Sequence, residues 1–220
     1  QKKGIRESKH IFSLGMINKA FLKAARKLHV QCEPMSIPMV YPENLKYFPS
    51  EIENVISILK ESEISIVSQS RQYWKSSVEL DSNSMNKGNH ILIHGFAKYL
   101  KRMTFKKPLL VLFEYGPDVQ ASKCLIKQLQ IENNVLWVPL ISRKYIMCLL
   151  QEADFGADQF ISPYFGGTGN EHLAAGVPFF CKVLTNEEYR EMTGHNLPPG
   201  LLPASTPEEI CEYLLDYEVN

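Results

Sequence analysis

From Glu51 onward, short unbroken apolar runs alternate with longer segments whose apolar residues recur every three or four positions. The first pattern predicts strands buried on both faces, and the second predicts amphipathic helices. A helix over Glu51–Glu61 precedes a strand over Ile64–Val67, and the polar loop WKSSVELDSNSMNKGN leads to a helix from His90 to Met103. Strand PLLVLFEYG, helix VQASKCLIKQLQ, strand NVLWVPLI and helix RKYIMCLLQEA follow. Strand ADFGADQF then enters a glycine turn, from which come helix NEHLAA, strand VPFFCKV and helix EEYREM. The chain closes with a short LLPA and the helix PEEICEYLLDY. Short apolar strands separated by helices predict an α/β fold: a Rossmann-like, doubly wound parallel sheet with helices on both faces.

The first fifty residues read differently. Phe12, Met16, Ile17, Phe21, Ala24 and Leu28 recur at helical spacing, with Lys19, Lys23 and Lys27 on another face, so residues 11–28 are expected to form a helix. A packed helix with a solvated side is the ordinary reading, and contact with an anionic membrane surface is the alternative. Residues 31–49 carry Pro34, Pro38, Pro42 and Pro49 and are expected to be a linker.

Composition narrows the function classes. The 220 residues are 45% hydrophobic, enough for a full core, and carry 24 basic against 24 acidic side chains. A global basic field for nucleic acid is therefore absent. Cys32, Cys124, Cys148, Cys181 and Cys211 are far apart and form no C-x-x-C, so neither zinc nor a disulfide framework is expected. No apolar run approaches the roughly 20 residues of a membrane helix. A reducing, cytoplasmic setting fits this usage.

The chemistry concentrates in FGGTGNEHLAAGVPFF, Phe165 to Phe180. In an open parallel sheet ligands bind beyond the carboxyl ends of the strands, where this turn is expected. Its glycines let backbone N–H groups approach a ligand, and the following helix offers its positive end to phosphate. Glu171, expected in the first turn of that helix, is suited to accept hydrogen bonds from a ribose diol. The plainer alternative is a structural turn with a helix-capping acid. A dinucleotide fingerprint fails because His172 stands where its third glycine belongs, and no P-loop is present. His90, His94, His172 and His195 read as structural or exposed, and Trp74 and Trp137 as core or cleft wall.

From about Glu63 to Tyr217 the order of motifs resembles the C-terminal, donor-binding domain of GT-B glycosyltransferases, specifically retaining enzymes of glycosyltransferase family 4. The matching features are SQSR with Arg71, then Lys87-Gly88-Asn89, VLFEYGPD, NVLWVPL, EADFGADQF and finally Gly-Thr-Gly-Asn-Glu-His-Leu-Ala-Ala-Gly-Val-Pro. The resemblance implies that Arg71 and Lys87 hold the diphosphate of a nucleotide-sugar donor and stabilise its departure without a metal or other cofactor. It implies that Glu171 binds the ribose, that Gly167, Thr168 and Gly169 meet the phosphates, and that Val138, Pro139 and Leu140 line the nucleobase through backbone. The acid that the family places eight residues before Glu171 is replaced by Pro163, which leaves Asp158 or Gln159 as candidates for sugar contacts.

The resemblance also implies domains: residues 51–220 as the donor-binding domain, and 1–50 as the tail of an N-terminal GT-B domain plus linker. That missing domain would supply the acceptor site, for a glycan, a lipid-linked glycan or a small molecule, with peripheral membrane contact as one expectation. Two alternatives stay open: another GT-B enzyme such as a nucleotide-sugar epimerase, and a degenerate domain serving regulation or assembly.

Overall fold

A computed structural model describes residues 7, 10–13, 23, 26–34, 45, 47–76, 86–105 and 107–219. They fall into two compact units, one drawn from residues 1–39 and 185–197, the other from 40–184 and 198–220.

In the smaller unit, strand β1 (His10–Ser13) pairs in parallel with β2 (Gln31–Pro34). The helix expected over residues 11–28 is therefore corrected: Ile11–Ser13 are strand, while Arg26 and Lys27 are helical and most of the rest lies outside the described residues. The linker expected from residue 31 begins instead as β2; pairing with a distant strand overrode the local signals. Pro34 takes the last place in β2, where a missing N–H is tolerated.

The larger unit carries the sheet. Its strands are β3 (Ile64–Ser68), β4 (Pro108–Phe113), β5 (Val135–Val138), β6 (Phe155–Ala157), β7 (Phe179–Cys181) and β8 (Leu201–Pro203). All five pairings are parallel, in the spatial order β5-β4-β3-β6-β7-β8. The chain thus builds outward from β3 to one edge, then returns to β3's other side and builds to the opposite edge. The direction reverses between β3 and β6, the position at which such sheets leave a crevice beyond their carboxyl ends.

Helices cover both faces: α1 (Ser50–Glu61), α2 (Asn89–Leu100), α3 (Val119–Gln128), α4 (Arg143–Gln151), α5 (Gly167–Ala175) and α7 (Pro207–Val219), with α6 (Asn186–Thr193) belonging to the smaller unit. Alternation along the strands divides the core in two. Ile64, Ile66, Leu110 and Leu112 pack with Leu92, Phe96 and Tyr99 of α2 and Ile210 and Leu214 of α7. Val67, Val111 and Phe113 pack on the other face with Ile52, Val55 and Leu59 of α1 and Ile146 and Leu150 of α4. This explains why the strands read as continuous apolar runs: each neighbour faces a different, equally dry layer.

The first layer is close enough to demand a glycine. A Cβ at Gly95, inside α2, would lie 2.8 Å from Ile210 Cβ and 3.1 Å from the Pro207 carbonyl oxygen. In an open helix Gly→Ala stabilises by about 1 kcal/mol. Here we expect Gly95→Ala to destabilise by about 1–3 kcal/mol through overpacking, read as a lower urea midpoint. An unchanged or raised midpoint would contradict the close α2–α7 packing.

Candidate functional site at the sheet reversal

Side chains stitch the two strand ends together where hydrogen bonding of the sheet stops. Ser68 Oγ donates to the Ala157 carbonyl at 3.0 Å, and Ser70 Oγ donates to the Asp158 carbonyl at 2.7 Å. Lys87 spans the same gap: its N–H donates to the Tyr73 carbonyl at 2.7 Å, and its carbonyl accepts from Phe160 N–H at 2.9 Å. Gly88 has φ +68°, and a Cβ there would lie 3.1 Å from Phe160 Cβ, so glycine after Lys87 is a steric requirement of this crossing. Asn89 completes it by accepting Tyr73 N–H at 3.0 Å.

The two predicted cations have separate partners. Lys87 Nζ donates to Gln159 Oε1 at 2.6 Å, and Gln159 Nε2 donates to the Tyr164 carbonyl. Among the described residues Lys87 has no carboxylate within ion-pairing distance. Arg71 lies with its guanidinium 5.0 Å from the Tyr73 ring centre. Its stem passes Gly116 (φ +115°), where a Cβ would sit 2.7 Å from Arg71 Cγ. The turn EYGPD therefore owes its glycine to the chain segment that carries Arg71.

The glycine segment is corrected in one respect. Helix α5 begins at Gly167, so the glycines form its first turn and Glu171 stands in the second. The N–H groups of Gly167 and Thr168 have no carbonyl of their own helix to reach. Gly169 is a glycine for packing, since a Cβ would meet Phe165 Cβ at 2.7 Å. The helix is capped from outside by Asp158, 2% exposed, whose Oδ2 accepts Gly166 N–H at 2.8 Å. Burial pushes this carboxyl's pKa up, while Gly166 and Gly169 N–H, Lys87 and Ser70 oppose it.

Glu171, 5% exposed, faces the end of β3. Its Oε2 accepts from Gln69 Nε2 at 3.0 Å, and its Oε1 pairs with Arg143 Nε. Neither Gln69 nor Arg143 stood among the sequence-derived candidates. Gln69 was hidden inside a segment read for its arginine. Arg143 did carry a signal, because a cation opening a helix faces the wrong end of the helix dipole and calls for a partner elsewhere. Val138 ends β5 buried, and its carbonyl accepts Glu114 N–H at 2.8 Å; Pro139 is exposed and Leu140 is 66% exposed. Two strands separate this loop from β6, yet α4, which follows it, returns Arg143 to Glu171.

No protein-family model matches the chain, and no curated protein matches it. Solved structures do. HepE of Anabaena in complex with UDP aligns with a TM-score of 0.61 at 16% identity over 98% of this chain and 56% of its own. A glycosyltransferase from Rickettsia africae aligns with 0.61 at 15% over 98% and 55%. Sucrose-phosphate synthase of Thermosynechococcus elongatus aligns with 0.59 at 13% over 100% and 51%. The chain has the Rossmann-like GT-B fold. It spans about half the length of these structures.

On the buried side of α5, this GT-B unit holds an ionisable group away from water. His172 is 0% exposed, neither ring nitrogen has a hydrogen-bond partner among the described residues, and burial pushes its pKa down from 6.5 to about 3. The ring meets Phe179 edge-on at 5.3 Å and occupies the space left by Gly156, where a Cβ would lie 2.0 Å from His172 Cδ2. Below pH 6.5 the unfolded chain binds a proton that the folded chain refuses. Stability is therefore full above pH 6.5 and falls by about 1.4 kcal/mol per pH unit as pH drops toward 3. Urea titrations between pH 7 and 4.5 should show this slope, and His172→Leu should remove it. A slope unchanged in the variant would mean that other groups carry it.

Proposed function

We propose that this chain is the donor-binding half of a retaining glycosyltransferase that uses a nucleoside diphosphate sugar. The observation that carries the reading is the presence, at one sheet reversal, of a cation held on a neutral amide (Lys87 on Gln159) and a buried carboxylate (Glu171) near the start of α5, whose Gly167 and Thr168 N–H groups have no carbonyl of their own helix to reach. A diphosphate is a stronger partner for an ammonium than an amide oxygen is, so Lys87 is poised to transfer to it. Arg71 adds a second cation after β3, and Gly167 and Thr168 N–H add the positive end of α5. As the glycosidic bond breaks, negative charge gathers on the departing diphosphate, and donors fixed in advance stabilise that change. Glu171 orients the nucleoside through its ribose hydroxyls, and the backbone of Val138–Leu140 receives the base. Asp158 and Gln159 are the candidates for the sugar contacts of the absent acid at Pro163.

Residues 1–50 read as the end of an N-terminal GT-B domain plus linker, and the parallel pairing of β1 with β2 supports that reading. The acceptor then docks on the missing domain, and the chain alone binds nucleotide while transferring sugar poorly. Pro163 favours one rival, a degenerate domain kept for assembly or regulation.

Calorimetric titration of UDP, GDP and ADP tests the proposal. We expect one diphosphate to bind, with Lys87→Ala and Glu171→Ala each weakening it by about 1–3 kcal/mol. Absence of binding by a folded protein would favour the degenerate reading.

A further inference from the structure

Gln69 has a feature that the proposed function does not use. It follows β3 at the sheet reversal and is 9% exposed. Its Nε2 donates to Glu171 Oε2 at 3.0 Å. An ionised carboxylate only accepts, so this bond fixes the amide's orientation and leaves Oε1 as its other end. That oxygen is closed off from solvent and, among the described residues, has no hydrogen-bond donor. A methionine or leucine would fill the same space without burying an unpaired acceptor, and native proteins rarely leave one so. No described residue supplies the missing donor.

We propose that Gln69 Oε1 is a ligand acceptor, which together with Glu171 reads the two hydroxyls of the ribose. The inference rests on the nucleotide-binding reading of the same crevice. Each Glu171 oxygen already takes one protein donor, Gln69 at Oε2 and Arg143 at Oε1, and keeps lone pairs for one more. One ribose hydroxyl donates to Glu171 and its neighbour donates to Gln69. Gln69 is thus both the brace that orients Glu171 and the group that distinguishes a ribonucleotide from its deoxy counterpart. A site built to receive a hydroxyl rejects the analogue lacking it, because the buried acceptor is then left unpaired.

The experiment measures dissociation constants of UDP, 2′-deoxy-UDP and 3′-deoxy-UDP for the unaltered chain and for Gln69→Met, which keeps the shape and removes the acceptor. Gln69→Leu is the second variant, and thermal unfolding checks that both fold. The unaltered chain should bind each deoxy analogue about tenfold or more weakly than UDP. In Gln69→Met, discrimination against one of the two should shrink to about twofold, while discrimination against the other persists through Glu171. Discrimination kept in full against both, or lost against both, would overturn the proposal. Where GDP or ADP is the diphosphate that binds, its own deoxy forms replace those of UDP, and failure of the unaltered chain to bind any of the three would instead remove the nucleotide reading on which the proposal stands.

Discussion

Everything in the larger unit depends on a narrow seam. β3 and β6 pair over only Ile66 with Phe155 and Val67 with Gly156, and from this seam the sheet builds in opposite directions. Parallel strands that diverge in connection leave their carboxyl ends unroofed. Here the gap is held by serine hydroxyls and by the backbone of Lys87, not by further sheet. The seam also sets the position of α5, because Gly156 leaves room for the His172 ring and Asp158 caps the helix start. Fold and site are thus one piece of construction.

The charges at the seam are arranged for exchange. Two carboxylates and two cations, Lys87 and Arg143, gather around it, and the carboxylates are already engaged: Asp158 with the start of α5, Glu171 with Gln69 and Arg143. Lys87 hydrogen-bonds to an amide oxygen and feels the Asp158 carboxyl nearby, but among the described residues no carboxylate contacts it directly. An anion arriving at α5 would find donors fixed in advance and would not have to break an ion pair to reach Lys87. Such preorganisation is what makes electrostatic stabilisation effective as charge develops.

Much of this was legible in the order of residues. The pattern marked α1 through α5, α7 and each strand from β3 to β7, because these elements bury apolar faces in one of two dry layers, whereas the short LLPA was not read as the strand β8 that it forms. Glu171 stood out as the acid after the glycines, and Lys87-Gly88-Asn89 through the resemblance to GT-B glycosyltransferases. What stayed hidden depends on distance along the chain. Residues 11–13 and 31–34 follow a helical or linker pattern locally, and only their mutual pairing makes them strands. Gln69 meets Glu171 across 102 positions and Arg143 meets it across 28, and no local pattern encodes such partners. The start of α5 was misplaced for the opposite reason: glycines read as a turn, whereas capping by Asp158 from outside lets them form the first helical turn.

The most direct test of the central claim is a crystal structure of the chain grown with UDP. We expect the diphosphate within hydrogen-bond distance of Lys87 Nζ and of the Gly167 or Thr168 N–H, with the ribose on Glu171. UDP seated away from the β3–β6 seam, with Lys87 still on Gln159, would contradict it.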